Sequence, residues 1–207
     1  MSDTSLDFED FVPMVLQALE AAGVKYLIGG AVAVWAWGEP RTTQDLDLVV
    51  ELPFESMAVL SKELKARDML VPVDIMIDLT LEDRADLPIN AIHMVSGYKA
   101  EFFLLKPGDE FRAASLARRR LVDLGPPLGE VYLHAPEDLI LNKLRYFSIS
   151  QQPKHIRDIA GILLNQRDQL DYSYVDAWAG RLGLTGVWRE VQAQVETLND
   201  SGTRKSP

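Results

Sequence analysis

Asp45 and Asp47 are separated by a single leucine in the segment RTTQDLDLVVEL, at the point where a strongly apolar run begins. On a strand, residues two apart share a face, so these carboxylates would lie close enough to repel each other. Such a pair is tolerated at an exposed strand end, where cations neutralise it, or where one carboxyl stays protonated. Upstream, the adjacent Gly29 and Gly30 close the apolar stretch VKYLIGG. Glycines there let the backbone approach a phosphate, and a helix that follows aims its N-terminal dipole at the same point. Two aspartates on the neighbouring strand would then hold hard cations such as Mg²⁺, which prefer carboxylate oxygens and bridge to substrate phosphates. That combination suits phosphoryl transfer, in which positioning and charge neutralisation supply most of the catalysis. The plainer alternative is a glycine pair that permits tight helix packing and a D-x-D in a solvated turn.

A strand, glycines, a helix and a second strand ending in Glu51 also fit a dinucleotide-binding unit. Against it, G-x-G-x-x-G is absent: Gly29 and Gly30 are adjacent and the next glycine is Gly38. It also leaves Asp45 and Asp47 unexplained.

The elements that must position these residues follow from periodicity. Phe8, Phe11, Val12, Val15, Leu16, Leu19 and Ala22 recur at helical spacing, with Gly23 as C-cap and Pro13 weakening the first turns or marking a later start. VKYLIGG reads as a buried strand, AVAVWAWG as a short helix, EPRTT as a turn and LDLVVEL as a second strand ending at Pro53. Residues 54–67 form a half-exposed helix, and after a poorly patterned stretch NAIHMVS and YKAEFFLL make a hairpin turning near Ser96 and Gly97. The basic run Arg118 to Arg120 precedes a Gly/Pro loop at 125–129, and VYLH is a last short strand. From Pro136 the chain is helical, opening with proline and two acids. The expected division is an α/β domain over residues 1–128, a mainly helical domain over 129–199 and a flexible tail over 200–207.

Composition narrows the function classes. The 207 residues are 47% hydrophobic and 25% charged, an ordinary globular balance, with 21 Lys and Arg against 31 Asp and Glu. A net charge of −10 argues against a broad nucleic-acid surface, though not against a local basic site. The lack of cysteine excludes disulfides, zinc ribbons and thiol catalysis. The acidic N-terminus is unlike a secretion signal and no apolar run reaches membrane-spanning length, so the expectation is a cytoplasmic protein that avoids membranes.

The string GGAVAVWAWGEPRTTQDLDLVV resembles the signature of the nucleotidyltransferase fold in the bacterial group related to abortive-infection AbiEii toxins and minimal nucleotidyltransferases: GG, a short helix, G, then R-x-T-x-D-x-D. Gly29, Gly30, Gly38, Arg41, Thr43, Asp45 and Asp47 supply it. The resemblance extends through NAIHMVSGYKAEFFLL, the Arg118 to Arg120 run and HAPEDLILNKLRYFSISQQPKHIRDIAGIL, covering roughly residues 24–165. It implies a small mixed β-sheet flanked by helices, with the helical C-terminal part closing one side of a nucleotide cleft. It also implies an enzyme that moves a nucleoside monophosphate from a nucleoside triphosphate to an acceptor and releases pyrophosphate, with Mg²⁺ or Mn²⁺ as cofactor. Transfer RNA, a protein and a small molecule such as an antibiotic are all open as acceptors. The same group association raises a toxin–antitoxin role and a protein partner.

A third carboxylate joins the D-x-D in such folds. The corresponding place is KAEFF, where relatives show K-x-D and this chain has Glu101. The added methylene moves the carboxylate by about a bond length, and displacements of about an ångström can be catalytically costly. A catalytically degenerate protein that binds nucleotide or a partner is therefore the second reading, and the alternative for Glu101 is a strand-face acid paired with Lys99. Metal ligation and catalysis are assigned to Asp45, Asp47 and Glu101, and nucleotide contact to Gly29, Gly30, Arg41, Thr43 and Lys143, which matches a lysine retained in LxxKL. Arg157 and Asp158 read as a local surface ion pair, and the Arg118 to Arg120 run as a solvated helix end. His93, His134 and His155 read as structural, and Trp35 and Trp37 as packing residues.

Overall fold

The computed structural model describes residues 6–82 and 86–203, the last eight by backbone alone. The chain folds as two compact units, Met1–Ala33 with Arg41–His134, and Val34–Pro40 with Ala135–Pro207.

In the first unit, α1 (Phe8–Ala21) leads into β1 (Lys25–Ile28). The helix continues past Pro13, because burial of Phe8, Phe11, Val12 and Val15 along one stripe outweighs the loss of one ladder bond. Its end uses Gly23 at φ 66°, with Val24 N–H donating to the Leu19 carbonyl at 2.9 Å, a left-handed stop that a Cβ would disfavour. Then come α2 (Gly30–Trp37), shared between the two units, β2 (Asp45–Glu51), α3 (Phe54–Lys65) and α4 (Val73–Leu81). The hairpin β3 (Ile89–Ile92) and β4 (Lys99–Leu104) turns at Gly97, and α5 (Glu110–Ala117), β5 (Arg120–Asp123) and β6 (Glu130–Leu133) complete the unit.

The six strands form one sheet in the order β3-β4-β2-β1-β6-β5. Pairs β2/β4 and β1/β6 are parallel and the others antiparallel, so the expected mixed sheet is present. Along β2, Leu46, Leu48 and Val50 are fully buried on one face, beside Ala100, Phe102 and Leu104 of β4. The layer formed by α1, α3 and α4 supplies Phe11, Val15, Leu19, Met57, Leu60, Leu64 and Met76 to the core. The opposite face carries the acids at its leading end, and further along Leu27, Val49 and Phe103 pack with Leu116 of α5.

Parts of this unit escape the periodicity reading, α5 and β5 among them. VDIMIDLTL folds as α4 although its β-branched residues alternate and its Pro72 cap makes no side-chain bond; packing against α3 and β3, with Met76 buried, overrides local preference. The Arg118 to Arg120 run is a solvated helix end only in part, with Arg118 as the C-cap of α5 and Arg120 exposed. Arg119 turns inward, donating to the Tyr26 carbonyl at 3.0 Å with its guanidinium 4.1 Å over the Tyr132 ring, and Arg120 opens β5.

The second unit holds α6 (Pro136–Ser150), α7 (Pro153–Gln166), α8 (Tyr172–Arg181) and α9 (Thr185–Thr203). Residues 204–207 of the expected tail lie outside the described residues. Pro136 stands at the first turn of α6 as expected, but its two acids are buried and bonded. Glu137 accepts from Asp171 N–H at 3.1 Å and Asp138 accepts from the Tyr174 hydroxyl at 2.7 Å, which ties α6 to α8. Gly38 and Gly161 allow close approach of backbones: a Cβ at either would lie 3.2 Å from a backbone nitrogen, of Ile162 and Glu39 respectively. Among the described residues no helix is long and apolar enough to cross a membrane.

Candidate functional site

The register between β2 and β4 builds the site. Asp45 stands opposite Lys99 and Asp47 opposite Glu101, and residues facing each other in a ladder share a side of the sheet. The four side chains therefore occupy one face at the start of two parallel strands, where covering helices do not bury them. Asp45 is the most open, with half of its side chain exposed, whereas Glu101 is about one-fifth exposed.

The glycine turn reaches the same place. β1 pairs antiparallel with β2 as far as Ile28 opposite Leu48, and the next residue, Gly29, donates its N–H to the Asp47 carbonyl at 2.8 Å. Gly30 follows at φ 55°, starting α2. The Asp47 carboxylate fills the space above it: a Cβ at residue 30 would lie 2.6 Å from Asp47 Cγ and closer still to Oδ2. Gly29 is backed by the ring of His134, whose Cδ2 would be 3.1 Å from a Cβ there, and His134 N–H donates to the Ile28 carbonyl at 3.0 Å. His134 thus has the structural place expected of it, at the back of the turn.

The Thr43 hydroxyl lies 3.2 Å from the Asp45 amide nitrogen and 3.0 Å from the Asp45 carbonyl oxygen, which fixes the entry into β2. Arg41, half-buried in the turn before it, points one guanidinium nitrogen at the Thr42 carbonyl at 3.5 Å.

Lys99 dominates the electrostatics. Its Nζ is 2.8 Å from Glu101 Oε1 and 3.4 Å from Asp45 Oδ1. The pairing stated as the alternative for Glu101 is formed. The hydrogen bond to Glu101 holds the ammonium above the ordinary lysine range, burial opposes it, and the charges of Glu101 and Asp45 add to the rise. Sequence reasoning treated Lys99 only as a partner of Glu101. The signal that it also reaches Asp45 was the parallel register, which no periodicity displays.

Carboxylate oxygens on one face, a neighbouring turn without a Cβ, and a helix start suit a hard divalent cation and a phosphate. Asp45, Asp47 and Glu101 are the residues that would hold such an ion. In their present arrangement, two of the three are drawn to one ammonium, and among the described residues no cluster of three or more His, Asp or Glu side chains gathers at metal-ligating distance.

Lys143 belongs to the second unit and is buried. Its Nζ is 2.7 Å from Asp158 Oδ2, with the two side chains 5% and 2% exposed, so it is not an ordinary solvent-facing helix lysine. Asp158 is likewise not the partner of Arg157 in a surface pair: it lies on the inner side of α7 while Arg157 is exposed. Trp35 and Trp37 are half-buried in the same unit.

Known structures give this arrangement a context. No protein-family model matches the chain, and no curated protein matches it. Among solved structures, the antibiotic-resistance factor ANT(2'')-Ia in solution matches with a TM-score of 0.56 at 17% identity, over 92% of this chain and 95% of that one. A crystal structure of ANT(2'')-Ia with adenylyl-2''-tobramycin matches at 0.51 and 15% identity, over 87% of this chain and 95% of that one. An antigenic nucleotidyltransferase-like protein from Paracoccidioides brasiliensis matches at 0.54 and 16% identity, over 91% and 92%. The chain has the nucleotidyltransferase fold.

Proposed function

We propose that the chain is a metal-dependent nucleotidyltransferase that moves a nucleoside monophosphate from a nucleoside triphosphate to an acceptor hydroxyl. The observation that carries this reading is the convergence of three elements: Asp47 lies against Gly30, with Glu101 beside it in register and Asp45 two residues before it. The likeness in fold supports it.

In the proposed reaction the acceptor oxygen attacks the α-phosphorus, the bond to the β-phosphate oxygen breaks, and pyrophosphate leaves. Gly29 and Gly30 let the triphosphate approach the backbone: the N–H groups at the start of α2 face it, while the Gly29 N–H, bonded to the Asp47 carbonyl, holds the turn in place. Asp45, Asp47 and Glu101 hold Mg²⁺ or Mn²⁺, which supplies neutralisation of phosphate charge when bound. Glu101 accepts the proton of the attacking hydroxyl. Arg41 gives the turn a cation for phosphate oxygens, and Thr43 fixes the backbone from which Asp45 projects. Lys143, engaged with Asp158, acts by holding α6 to α7.

For the acceptor, the complex of ANT(2'')-Ia with adenylyl-2''-tobramycin favours a small molecule bearing hydroxyls over RNA or protein. The AbiEii-like affiliation and a toxin–antitoxin role with a protein partner rest on the motif string. The reading places the protein in the cytoplasm, where nucleoside triphosphates are.

The test is incubation with labelled nucleoside triphosphates, Mg²⁺ and representatives of each acceptor class. Pyrophosphate release and label transfer that Asp45→Asn abolishes support the reading. The second reading, nucleotide binding without chemistry, is motivated by the Lys99 bridge. It predicts nucleotide binding with no pyrophosphate released under any condition.

A further inference from the structure

We infer that Lys99 is a resident counter-ion of the acid face, and that a divalent cation binds there only by displacing its ammonium. The inference deepens the proposed function and rests on it. Asp47 stands opposite Glu101 on the adjacent strand, Asp45 lies diagonal to Glu101 on the same face, and the formal charges of the three repel. The ammonium lies between two of these acids, hydrogen-bonded to Glu101 at 2.8 Å and reaching Asp45 at 3.4 Å.

A Mg²⁺ ion shared by two carboxylates sits about 2.1 Å from each oxygen. An ammonium at 2.8 Å and 3.4 Å from the same two acids takes up that space and carries the same sign, so the two cations exclude each other. The backbones of β2 and β4 are fixed by six register pairs, from Asp45 opposite Lys99 to Val50 opposite Leu104. The lysine stem is flexible and one-third exposed, so Lys99 is the part that moves.

Two consequences follow. In the empty protein, Lys99 holds the carboxylates together without metal. Metal alone binds weakly, because it must displace an ion pair, whereas metal arriving with triphosphate gains phosphate oxygens as additional ligands and the released ammonium gains an anion.

The experiment measures Mn²⁺ binding by calorimetry and by electron paramagnetic resonance, without nucleotide, on wild type, Lys99→Met and Lys99→Arg. Thermal unfolding with and without Mn²⁺ confirms that each variant folds. The expected result is that Lys99→Met binds Mn²⁺ about fivefold or more tightly than wild type and is stabilised more by it, whereas Lys99→Arg, which keeps a cation, does not. Equal or weaker binding by Lys99→Met overturns the inference, because the ammonium and the metal would then occupy different places. If no variant binds Mn²⁺ at all, the inference fails as well. Label transfer by wild type with nucleotide and Mg²⁺ then separates the two failures: Mg²⁺-dependent transfer leaves the nucleotidyltransferase reading standing, with metal arriving only together with nucleotide, and absence of both removes it.

Discussion

The carboxylate of Asp47 occupies the volume that a side chain at Gly30 would need: a Cβ there would come within 2.6 Å of Asp47 Cγ and 2.9 Å of its Cβ. The contact joins the glycine turn and the acid strand into one feature, since the residue without a side chain makes room for the residue that carries the charge. Gly30 also stands at φ 55°, which alanine adopts at a cost of about 1 kcal/mol. Gly30→Ala is therefore expected to push Asp47 aside and to lower transfer about a hundredfold or more. Gly29→Ala meets only the edge of the His134 ring at 3.1 Å, outside the left-handed region, and is expected to cost less in both stability and rate. Side-by-side kinetics and thermal unfolding of the two variants check the ordering; equal losses would detach Asp47 from the turn.

Charge rather than shape is what the acids are proposed to supply. Asp45→Asn and Glu101→Gln keep volume and hydrogen-bonding capacity while removing the carboxylate, and each is expected to lower transfer about a hundredfold or more. Nucleotide-dependent pyrophosphate release at saturating Mg²⁺ measures it. A variant that keeps rates within twofold of wild type would remove that acid from the reacting centre.

Lys143 and Asp158 form a pair of another kind. Nζ and Oδ2 are 2.7 Å apart and the side chains nearly sealed, so removing one takes this ion pair away from a charge that stays in the interior of the helical unit. Lys143→Met is expected to cost about 3–5 kcal/mol in unfolding free energy, and the double substitution Lys143→Met with Asp158→Leu to recover much of it. Urea denaturation of the two proteins decides. A Lys143→Met protein of wild-type stability would return Lys143 to the list of nucleotide contacts.

The sequence displayed the local part of this design and hid the part made by strand pairing. The glycine turn, α2, β2 and the β3–β4 hairpin were legible because each is written in consecutive residues: paired glycines, alternating burial, and a turn at Gly97. The grouping of Glu101 with the two aspartates came from the resemblance alone; that Asp47 would stand opposite Glu101, and Asp45 opposite Lys99, depends on the register of two parallel strands separated by α3, α4 and β3. No local pattern records such a register. The same reason hid the buried partner of Lys143, fifteen residues away on another helix, and let Arg118 to Arg120 pass for a solvated run although Arg119 bonds to Tyr26. α4 was missed for another cause, because its stretch is poorly patterned in sequence and tertiary packing decides.

Tyr26 gives the fold a pH dependence of its own at alkaline pH. Burial of its ring raises the phenol above its ordinary value of 10.0, and the Glu20 carboxylate, 3.3 Å from the hydroxyl, adds to the rise. A group whose folded value is raised holds its proton more tightly in the native state, so its contribution to stability is complete below pH 10. Above pH 10 the unfolded chain loses this proton while the folded chain keeps it, and stability falls by about 1.4 kcal/mol per pH unit. Tyr26→Phe has no proton to lose. It gives up a hydrogen bond worth about 1 kcal/mol at neutral pH, but its decline through the alkaline range is expected to be shallower, so the two stability curves converge as pH rises. Lys99, whose value is also raised, falls in the same direction in both proteins and cancels from the comparison. Urea unfolding of wild type and Tyr26→Phe between about pH 9 and 11.5 measures the difference. Curves that stay parallel across that window would mean that the Tyr26 hydroxyl is as well solvated in the folded chain as in the unfolded one.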